Sequence, residues 1–518
     1  MQASINAKRV AIVGAGPSGI AAAKYCFAEK AFESIVVFEQ RSSAGGLWNA
    51  TPQEWDEAAF TIPSTNAAVK VDEPLWRPKV GASSSSGSEA SSATTSGSSS
   101  PRTVGGKDPV FISPIYDRLE TNIPRSLMRF SDHFFGDDVQ LFPPHQAVQE
   151  YIVQYARDVR HLIRFETQVV DIRLQDDPVS SPDKHGKDSW NMEVRDLQTN
   201  TYTTEVFDAV ILANGHFSTP YVPEVPGIRE WQTAFPGSIT HAKYYRRPEE
   251  YADKRVLVVG NFASGTDIAS QIIPYCKNPV LISAKSTNEL PAPPSSSKRE
   301  LPTIASFNVA GGSVTFANGH TEHNIDSIIF CTGYLYTFPF LKSLRPPLIT
   351  SGYYVENSYL HLFYAPHPTL SFLAIPQKII PFPLAEAQAA AVARIYSGRL
   401  SLPSYAEMKQ WEQDLLSSLP EGGSKSAFHK LPFPKDANYI NMMYDWAAGA
   451  LQKAGLENDG LGKMPRRWGE WEFWCRGRFP AIKKAFSEKG EKRRDVTRLE
   501  ELGFDFEKWK MEEETVRH

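Results

Sequence analysis

The chain has 518 residues, a length that predicts two or three domains rather than a single core. A net charge of -4 and a pI near 6.3 argue against a nucleic-acid binder, which would carry a basic surface. The four cysteines form no CxxC pair or metal cluster, no apolar run approaches the ~20 residues that span a bilayer, and no signal peptide is recognisable, so we expect a soluble, cytoplasmic protein.

The first predicted elements are typical of the start of a doubly wound α/β domain. A short apolar strand, Arg9 to Val13, leads through a glycine-rich turn into a helix of small residues, Ser18 to Phe27. A second strand, Ser34 to Phe38, ends at Glu39. Residues 81–107 follow, and their Ser-rich composition cannot bury enough apolar area to offset the entropy of ordering. We therefore predict a disordered surface insertion there.

The rest of the chain contains a second unit of the same kind. Before it, the pattern predicts a helix and three strands: Pro144–Val159, Gln168–Leu174, Trp190–Val194 and Phe207–Ala213. A second strand, glycine turn and helix begin at Arg255, with strands at Pro279–Ser283 and Ser327–Phe330. Two dinucleotide-type units in one chain predict two nucleotide cofactors.

The first glycine turn has the residues that a dinucleotide pyrophosphate requires. The predicted cofactor-binding residues of this turn are Gly14, Ala15, Gly16, Pro17, Ser18 and Gly19. The first glycine permits the tight turn, the second the approach of the pyrophosphate, and the third close packing of the helix on the strand. Glu39, at the end of the next strand, can accept hydrogen bonds from both ribose hydroxyls, which favours an unphosphorylated ribose such as that of FAD.

The second turn departs from the usual fingerprint because Phe262 replaces the middle glycine. Its predicted cofactor-binding residues are Gly260, Ser264, Gly265, Thr266 and Asp267. A bulky side chain at Phe262 is expected to hinder close approach to the backbone. The following strand ends with Ser283 and Lys285 and no carboxylate, which suits a 2′-phosphate and therefore NADPH rather than NADH.

Together with several further segments, these turns resemble the flavin-containing monooxygenases, class B flavoprotein monooxygenases, of which this chain looks like a soluble, fungal-like member. The run from Phe235 to Tyr245 matches the family pattern FxGxxxHxxx(Y/F). Other matching segments are Gly46-Leu47-Trp48, Thr121-Asn122, Cys331-Thr332-Gly333-Tyr334 and Pro381-Phe382-Pro383 with Glu386-Ala387-Gln388. The resemblance adds Gly46, Leu47, Trp48, Thr121 and Asn122 to the expected cofactor-binding residues, and no metal site is expected.

The resemblance implies an α/β fold of two Rossmann-like domains, with the NADPH domain inserted into a discontinuous FAD domain. We expect the FAD domain to comprise residues 1–220 and 327–518, the latter with a C-terminal helical extension, and the NADPH domain to comprise 221–326. It also implies that NADPH reduces FAD, that O2 forms a flavin C4a-hydroperoxide, and that a soft nitrogen or sulfur nucleophile of a small organic substrate is oxygenated. Asn122 is the expected catalytic residue beside the flavin ring. The expected partners are that substrate and O2, without nucleic acid or a membrane anchor.

Three alternatives stay open on the sequence. A Baeyer–Villiger monooxygenase would share both cofactors, but its related motif ends in tryptophan where this chain has Tyr245. A disulfide reductase lacks support because no cysteines are closely spaced. The third is a non-catalytic flavin-binding protein, with Phe262 as the lesion. His241 is expected to be a structural link between domains rather than a base, and Lys285 replaces the arginine that usually reads the 2′-phosphate.

Overall fold

The computed structural model describes residues 5–51, 61–78, 107–175, 188–285, 295–420 and 425–517. The predicted Ser-rich insertion, apart from Lys107, lies outside these ranges. Within them, no helix combines the length and the apolar character needed to cross a membrane.

Strands and helices alternate along the first half of the chain, and helices dominate its C-terminal part. The strands are β1 (Arg9–Val13), β2 (Ser34–Phe38), β3 (Leu75–Pro78), β4 (Lys107–Val110), β5 (Ile163–Arg164), β6 (Thr167–Leu174), β7 (Trp190–Asp196), β8 (Thr201–Phe207), β9 (Ala209–Leu212), β10 (Thr219–Pro220), β11 (Ile239–His241), β12 (Arg255–Val259), β13 (Lys277–Ser283), β14 (Lys298–Leu301), β15 (Ile304–Asn308), β16 (Ser313–Phe316), β17 (Thr321–His323), β18 (Ser327–Phe330), β19 (Tyr334–Leu335), β20 (Ser358–Tyr359), β21 (Phe363–Tyr364) and β22 (Leu370–Phe372). The helices are α1 (Pro17–Ala28), α2 (Arg125–Met128), α3 (His145–Tyr155), α4 (Ile228–Ala234), α5 (Ala263–Ile272), α6 (Pro381–Tyr396), α7 (Tyr405–Ser417), α8 (Lys435–Ala448), α9 (Glu470–Glu488) and α10 (Phe506–Arg517).

The first sheet has the strand order β20-β21-β22-β9-β1-β2-β5, with β1 parallel to both of its neighbours. Helix α1 packs on this sheet and against α6. Ala21, Ala22 and Ala23 of α1 are fully buried, as are most of the alanines of α6. Small side chains allow the two helix backbones to approach closely.

The second sheet has the order β11-β18-β12-β13-β14, and all of its strand pairs are parallel. Strand β18 pairs with β12 in the register Val259↔Phe330. The predicted domain boundary at residue 327 would separate this strand from its own sheet. We therefore propose that the inserted domain ends after Phe330. The antiparallel pair of β10 and β19 then lies where the chain enters and leaves this domain. The two sheets confirm the expected fold class of two Rossmann-like domains.

Most predicted elements occur where the sequence placed them, and one buried strand is shorter than predicted. The run Phe207–Ala213 is divided at Asp208, whose carboxylate accepts the backbone N–H groups of Lys8 and Arg9 at 2.7 and 2.8 Å. Phe207 therefore ends β8, and the parallel strand β9 begins at Ala209. The hydrogen bonds from the backbone to the Asp208 side chain thus interrupt the continuous strand that the apolar run predicts.

Candidate active site

The first glycine turn, between β1 and α1, has a backbone that requires glycine at both ends. Gly14 has a φ of +101°, and a Cβ there would lie 2.7 Å from the carbonyl oxygen of Ala213. A Cβ on Gly19 would lie 1.8 Å from the carbonyl oxygen of Gly14, so this glycine lets the helix approach the strand. The turn thus presents the N-terminal N–H groups of α1, which begins at Pro17, at the edge of the sheet.

Gly16 and Gly46 face each other beside this helix N-terminus. A Cβ on Gly16 would lie 3.6 Å from the Cα of Gly46, and a Cβ on Gly46 would lie 2.9 Å from the Cα of Gly16. Larger side chains at these two positions would fill a space bordered by backbone. This is the space that a pyrophosphate needs when it binds at a helix N-terminus, so the two glycines fit the diphosphate of FAD.

Glu39 lies at the end of β2 and is 3% exposed. Its Oε2 accepts the N–H of Ala15 and its Oε1 accepts the N–H of Arg41, both at 2.8 Å. Burial raises the pKa of this carboxyl group, and the Arg41 guanidinium opposes that effect. Because a carboxylate has about four acceptor positions, it keeps acceptor capacity for a ribose hydroxyl. Glu39 therefore fits the role expected from the sequence.

Thr121 and Asn122 lie in the loop that precedes α2. Thr121 is buried, its N–H donates to the Pro143 carbonyl oxygen at 2.9 Å, and its hydroxyl donates to the Ile123 carbonyl oxygen at 2.9 Å. Asn122 is half-buried and lines the same cavity as the first glycine turn. These hydrogen bonds hold the loop in place without using the side-chain amide of Asn122. That amide can therefore bind a ligand.

The second glycine turn repeats the geometry of the first. Gly260 has a φ of +106°, and a Cβ there would lie 2.5 Å from the carbonyl oxygen of Cys331. A Cβ on Gly265 would lie 2.0 Å from the Gly260 carbonyl oxygen. Phe262, at the position of Gly16, has a φ of -84° that any residue adopts, and its side chain is 52% exposed. The substitution therefore leaves the turn itself undistorted.

Three lysines surround the outer side of this second turn. Lys285 follows β13 and lines the cavity, as do Lys378 and Lys430, which the sequence analysis missed. The segments of the latter two are joined, since Gln377 N–H donates to the His429 carbonyl oxygen at 2.8 Å. Burial and the charges of Lys378 and Lys285 lower the pKa of Lys430. No motif links these three positions, so the sequence carried no signal for the group.

The Ser283 hydroxyl group is less available to a phosphate than the sequence predicts. The side chain lines the cavity but is buried, and its Oγ donates to the Pro302 carbonyl oxygen at 2.8 Å. A contact with a phosphate would require this bond to break. The Lys378 ammonium, in contrast, lies 5.6 Å from the centre of the Phe262 ring, so its positive charge is close to this turn.

Other predicted residues of the second turn are engaged within the protein. Thr266 Oγ1 donates to the Asn261 carbonyl oxygen at 2.8 Å. The Asp267 carboxylate accepts hydrogen bonds from Tyr116 Oη and, at 2.9 Å, from Gln271 Nε2, and burial raises its pKa. These bonds stabilise the start of α5. A cofactor contact by Asp267 stays a prediction.

His241 uses both ring nitrogens in contacts with the backbone. Its Nδ1 accepts the N–H of Lys243 at 3.1 Å, so Nε2 carries the hydrogen and donates to the Gly333 carbonyl oxygen at 3.0 Å. Burial lowers its pKa to about 3. A neutral imidazole with both nitrogens bonded joins β11 to the segment after β18, which agrees with a structural link and not with a catalytic base.

One continuous cavity of about 2900 Å³ reaches both glycine turns. Its volume is roughly three times that of a large ligand pocket, and this leaves space for two dinucleotides. The predicted residues that line it are Gly14, Gly16, Pro17, Ser18, Glu39, Gly46, Leu47, Trp48, Thr121, Asn122, Gly260, Ser264, Thr266, Asp267, Ser283 and Lys285. Gly19 and Gly265 pack against backbone behind the turns, and Ala15 is fully buried. The lining also includes residues of α9, among them Lys483, for which the sequence predicted no role.

Comparison with known proteins agrees with this arrangement. Residues 111–290 and 302–453, more than half of the chain, match the flavin-binding monooxygenase-like family. The chain belongs to this family. Residues 12–76 also match an NAD(P)-binding Rossmann-like domain. The protein is therefore a flavin-dependent monooxygenase, an oxidoreductase whose cofactors are FAD and NADPH.

Individual relatives of this monooxygenase cover most of its length. The flavin-containing monooxygenase FMO GS-OX-like 2 of Arabidopsis thaliana is 31% identical over 453 residues, which make up 85% of each chain. The flavin-containing monooxygenase iboF of Amanita muscaria (strain Koide BX008) is 29% identical over 500 residues, covering 86% of this chain and 89% of that protein. The structure of S-allyl-L-cysteine S-oxygenase from Allium sativum superposes with a TM-score of 0.71 and 26% identity, over 96% of this chain and 97% of that one.

Proposed function

We propose that this monooxygenase uses NADPH and O2 to oxygenate a soft nitrogen or sulfur atom of a small organic substrate. When bound, FAD that has been reduced by NADPH activates O2, so that one oxygen atom reaches the substrate and the other leaves as water. The observation that supports this function is the single cavity that both glycine turns and Asn122 line.

The first turn and its neighbours would bind FAD. Gly14 and Gly16 provide the backbone approach to the diphosphate, and Gly46 borders the same space. Glu39 would provide an acceptor for the ribose of the adenosine half, beside the backbone bonds it already accepts. The remaining predicted residues on this side, Pro17, Ser18, Leu47, Trp48 and Thr121, shape the walls around the cofactor.

The second turn would bind NADPH, and lysines would select it over NADH. Lys285, Lys378 and Lys430 line the cavity beside this turn, and their mutual repulsion is relieved by a dianionic 2′-phosphate. NADH lacks that phosphate and would leave the three charges uncompensated. The Gly260 backbone and Ser264, at the start of α5, would lie beside the diphosphate.

Asn122 is the residue that we assign to the chemistry. Its Nδ2 can donate a hydrogen bond to oxygen inside the cavity, while the bonds of Thr121 keep the loop in place. A donor in a site that excludes water stabilises developing negative charge by about 2–4 kcal/mol. Such a donor would favour transfer of oxygen to the substrate over release of H2O2.

Sulfur is the first substrate atom to test. The Allium sativum relative is named as an S-oxygenase of S-allyl-L-cysteine and superposes over nearly the whole chain. A thioether is a soft nucleophile, which matches the electrophilic oxygen that this chemistry supplies. Small dialkyl sulfides and S-alkyl cysteines are therefore the first compounds to offer, followed by tertiary amines.

The test is a screen of NADPH oxidation and oxygen uptake over sulfides, amines and ketones, with products identified by mass. We expect a sulfoxide or N-oxide one oxygen heavier than the substrate. An ester formed from a ketone, with no product from sulfides or amines, would instead support Baeyer–Villiger oxygenation and contradict the proposal.

A variant pair tests the role of Asn122. We expect Asn122→Ala to retain FAD and to oxidise NADPH, with most of the O2 consumed appearing as H2O2. The control Asn438→Ala removes an exposed amide on α8 away from the cavity and should stay coupled. Should Asn122→Ala give as much oxygenated product per NADPH as wild type, Asn122 is only structural.

A further inference from the structure

We call the residues after 453, where the family match ends, the C-terminal extension. This extension contacts the loop that contains Asn122. Lys483, in the C-terminal half of α9, donates from Nζ to the Thr121 carbonyl oxygen at 2.8 Å. Its side chain is only 14% exposed, and its ammonium lies 4.5 Å from the ring centre of Phe142 and 5.1 Å from that of Phe486. Burial lowers the pKa of Lys483, while Glu120 and Asp267 oppose this.

The segment after α9 holds the same loop from two other points. Arg493 Nε lies 3.2 and 3.1 Å from the two carboxylate oxygens of Glu120, the residue before Thr121. Further along, Leu141 N–H donates to the Val496 carbonyl oxygen at 2.7 Å. Leu141 in turn accepts the N–H of Arg125 at 2.8 Å, on the far side of Asn122. The extension therefore fixes the chain on both sides of the proposed catalytic residue.

The Lys483 contact is the one that bears most directly on Asn122. The Thr121 carbonyl group and the Asn122 N–H belong to one planar peptide unit, so fixing the oxygen fixes the plane from which Asn122 continues. A charge-assisted hydrogen bond in a buried place restrains that plane more firmly than a bond to water would. The two residues are 362 positions apart in sequence, so only the tertiary structure brings them into contact.

We propose that Lys483 is a positioning residue, which holds the Thr121–Asn122 peptide so that NADPH oxidation stays coupled to oxygenation. This inference rests on the role proposed for Asn122. Lys483 acts through the Thr121 carbonyl group and needs no contact with the substrate. The C-terminal extension is thus part of the active site and not merely a cover over the FAD domain.

The decisive variant is Lys483→Met, which keeps the length and the aromatic contacts of the side chain and removes the donor. Lys483→Arg restores a charged donor. Lys489→Met is the matched control, because Lys489 is an exposed residue immediately after the same helix. Each protein is prepared as FAD-loaded enzyme, and its flavin content and thermal midpoint are recorded first.

Two readouts then test the positioning role. In Lys483→Met we expect the fraction of NADPH that ends as H2O2 to rise several-fold, while anaerobic reduction of FAD by NADPH keeps its rate. Hydrogen exchange followed by mass spectrometry should show the protected N–H groups of Thr121 and Arg125 exchanging about tenfold faster, as expected for loss of one hydrogen bond that closes the loop. Lys483→Arg should recover part of both effects, and Lys489→Met should match wild type.

The outcomes separate this inference from the proposed function. If Asn122→Ala uncouples the reaction but Lys483→Met shows wild-type coupling and exchange, the inference is wrong and the proposed function stands. If Asn122→Ala is fully coupled, the catalytic role of Asn122 fails first. If Lys483→Met does not fold, Lys483→Gln decides, since the shorter amide also loses the charged donor: uncoupling supports the inference and wild-type coupling overturns it.

Discussion

Replacement of Glu386 by glutamine should stabilise the protein at neutral and alkaline pH. Glu386 lies in α6 and is 1% exposed. Its carboxyl oxygens accept the Ser131 N–H at 2.7 Å, the Ser131 hydroxyl at 2.9 Å and the Tyr155 hydroxyl at 3.3 Å. Burial raises its pKa to about 7, with a further increase from Asp132, and these hydrogen bonds only partly oppose that effect.

The magnitude follows from the difference between the folded and unfolded pKa values. The folded chain keeps the proton up to a pKa of about 7, while the unfolded chain releases it near 4.5. The group therefore contributes its full stability below about pH 4.5 and loses it as the pH rises through 7. The loss amounts to about 3 kcal/mol at 1.36 kcal/mol for each pKa unit. Glutamine is neutral at every pH and can still accept from the Ser131 N–H.

The assay is urea unfolding of FAD-loaded wild type and Glu386→Gln from pH 5 to pH 8. We expect similar unfolding free energies at pH 5 and a more stable variant at pH 8, by up to about 3 kcal/mol. Glu412→Gln is the control. Glu412 is also buried but accepts from Lys409 Nζ at 2.7 Å, so its replacement removes an ion pair and should bring no gain at pH 8. A stability difference for Glu386→Gln that is constant with pH, or that favours wild type at pH 8, would refute the reasoning.

Three further changes test the cofactor sites. Gly16→Val should abolish or strongly weaken flavin binding, because its methyl groups would enter the space next to Gly46; absorbance of the purified protein measures the bound flavin, and full retention would contradict this site. Gly265→Ala should lower both the thermal midpoint and NADPH binding, since its Cβ would lie 2.0 Å from the Gly260 carbonyl oxygen, and an unchanged midpoint would show that the turn can rearrange. Lys285→Ala should raise KM for NADPH by the equivalent of roughly 1–3 kcal/mol with little change for NADH, and equal losses for both would show that Lys285 does not read the phosphate.

The sequence was most informative where function depends on a local backbone. Both strand–turn–helix units were predicted because their glycines act within a few residues of one another, and the structure has the corresponding positive φ at Gly14 and Gly260. Most predicted residues of the two glycine turns line the cavity for the same reason, since the end of a strand and the start of a helix are consecutive in the chain, whereas Gly46, Leu47, Trp48, Thr121 and Asn122 were expected only from the family resemblance. The hindrance expected from Phe262 stays a prediction: its φ of -84° leaves the turn undistorted, and its side chain lines the cavity.

Short patterns determined the family, the two cofactors and the two dinucleotide-binding units, because strand ends and glycine turns are specified by neighbouring residues. Only the tertiary structure decided which cations meet. Lys285, Lys378 and Lys430 come from separate segments and share no spacing, and their grouping depends on the pairing of Gln377 with the chain at His429. The bond from Lys483 to the Thr121 carbonyl group likewise exists only because α9 packs across the loop. Contacts between residues so far apart leave no periodic pattern in the sequence. They depend on how the helices and sheets pack against one another and not on any local preference of the chain.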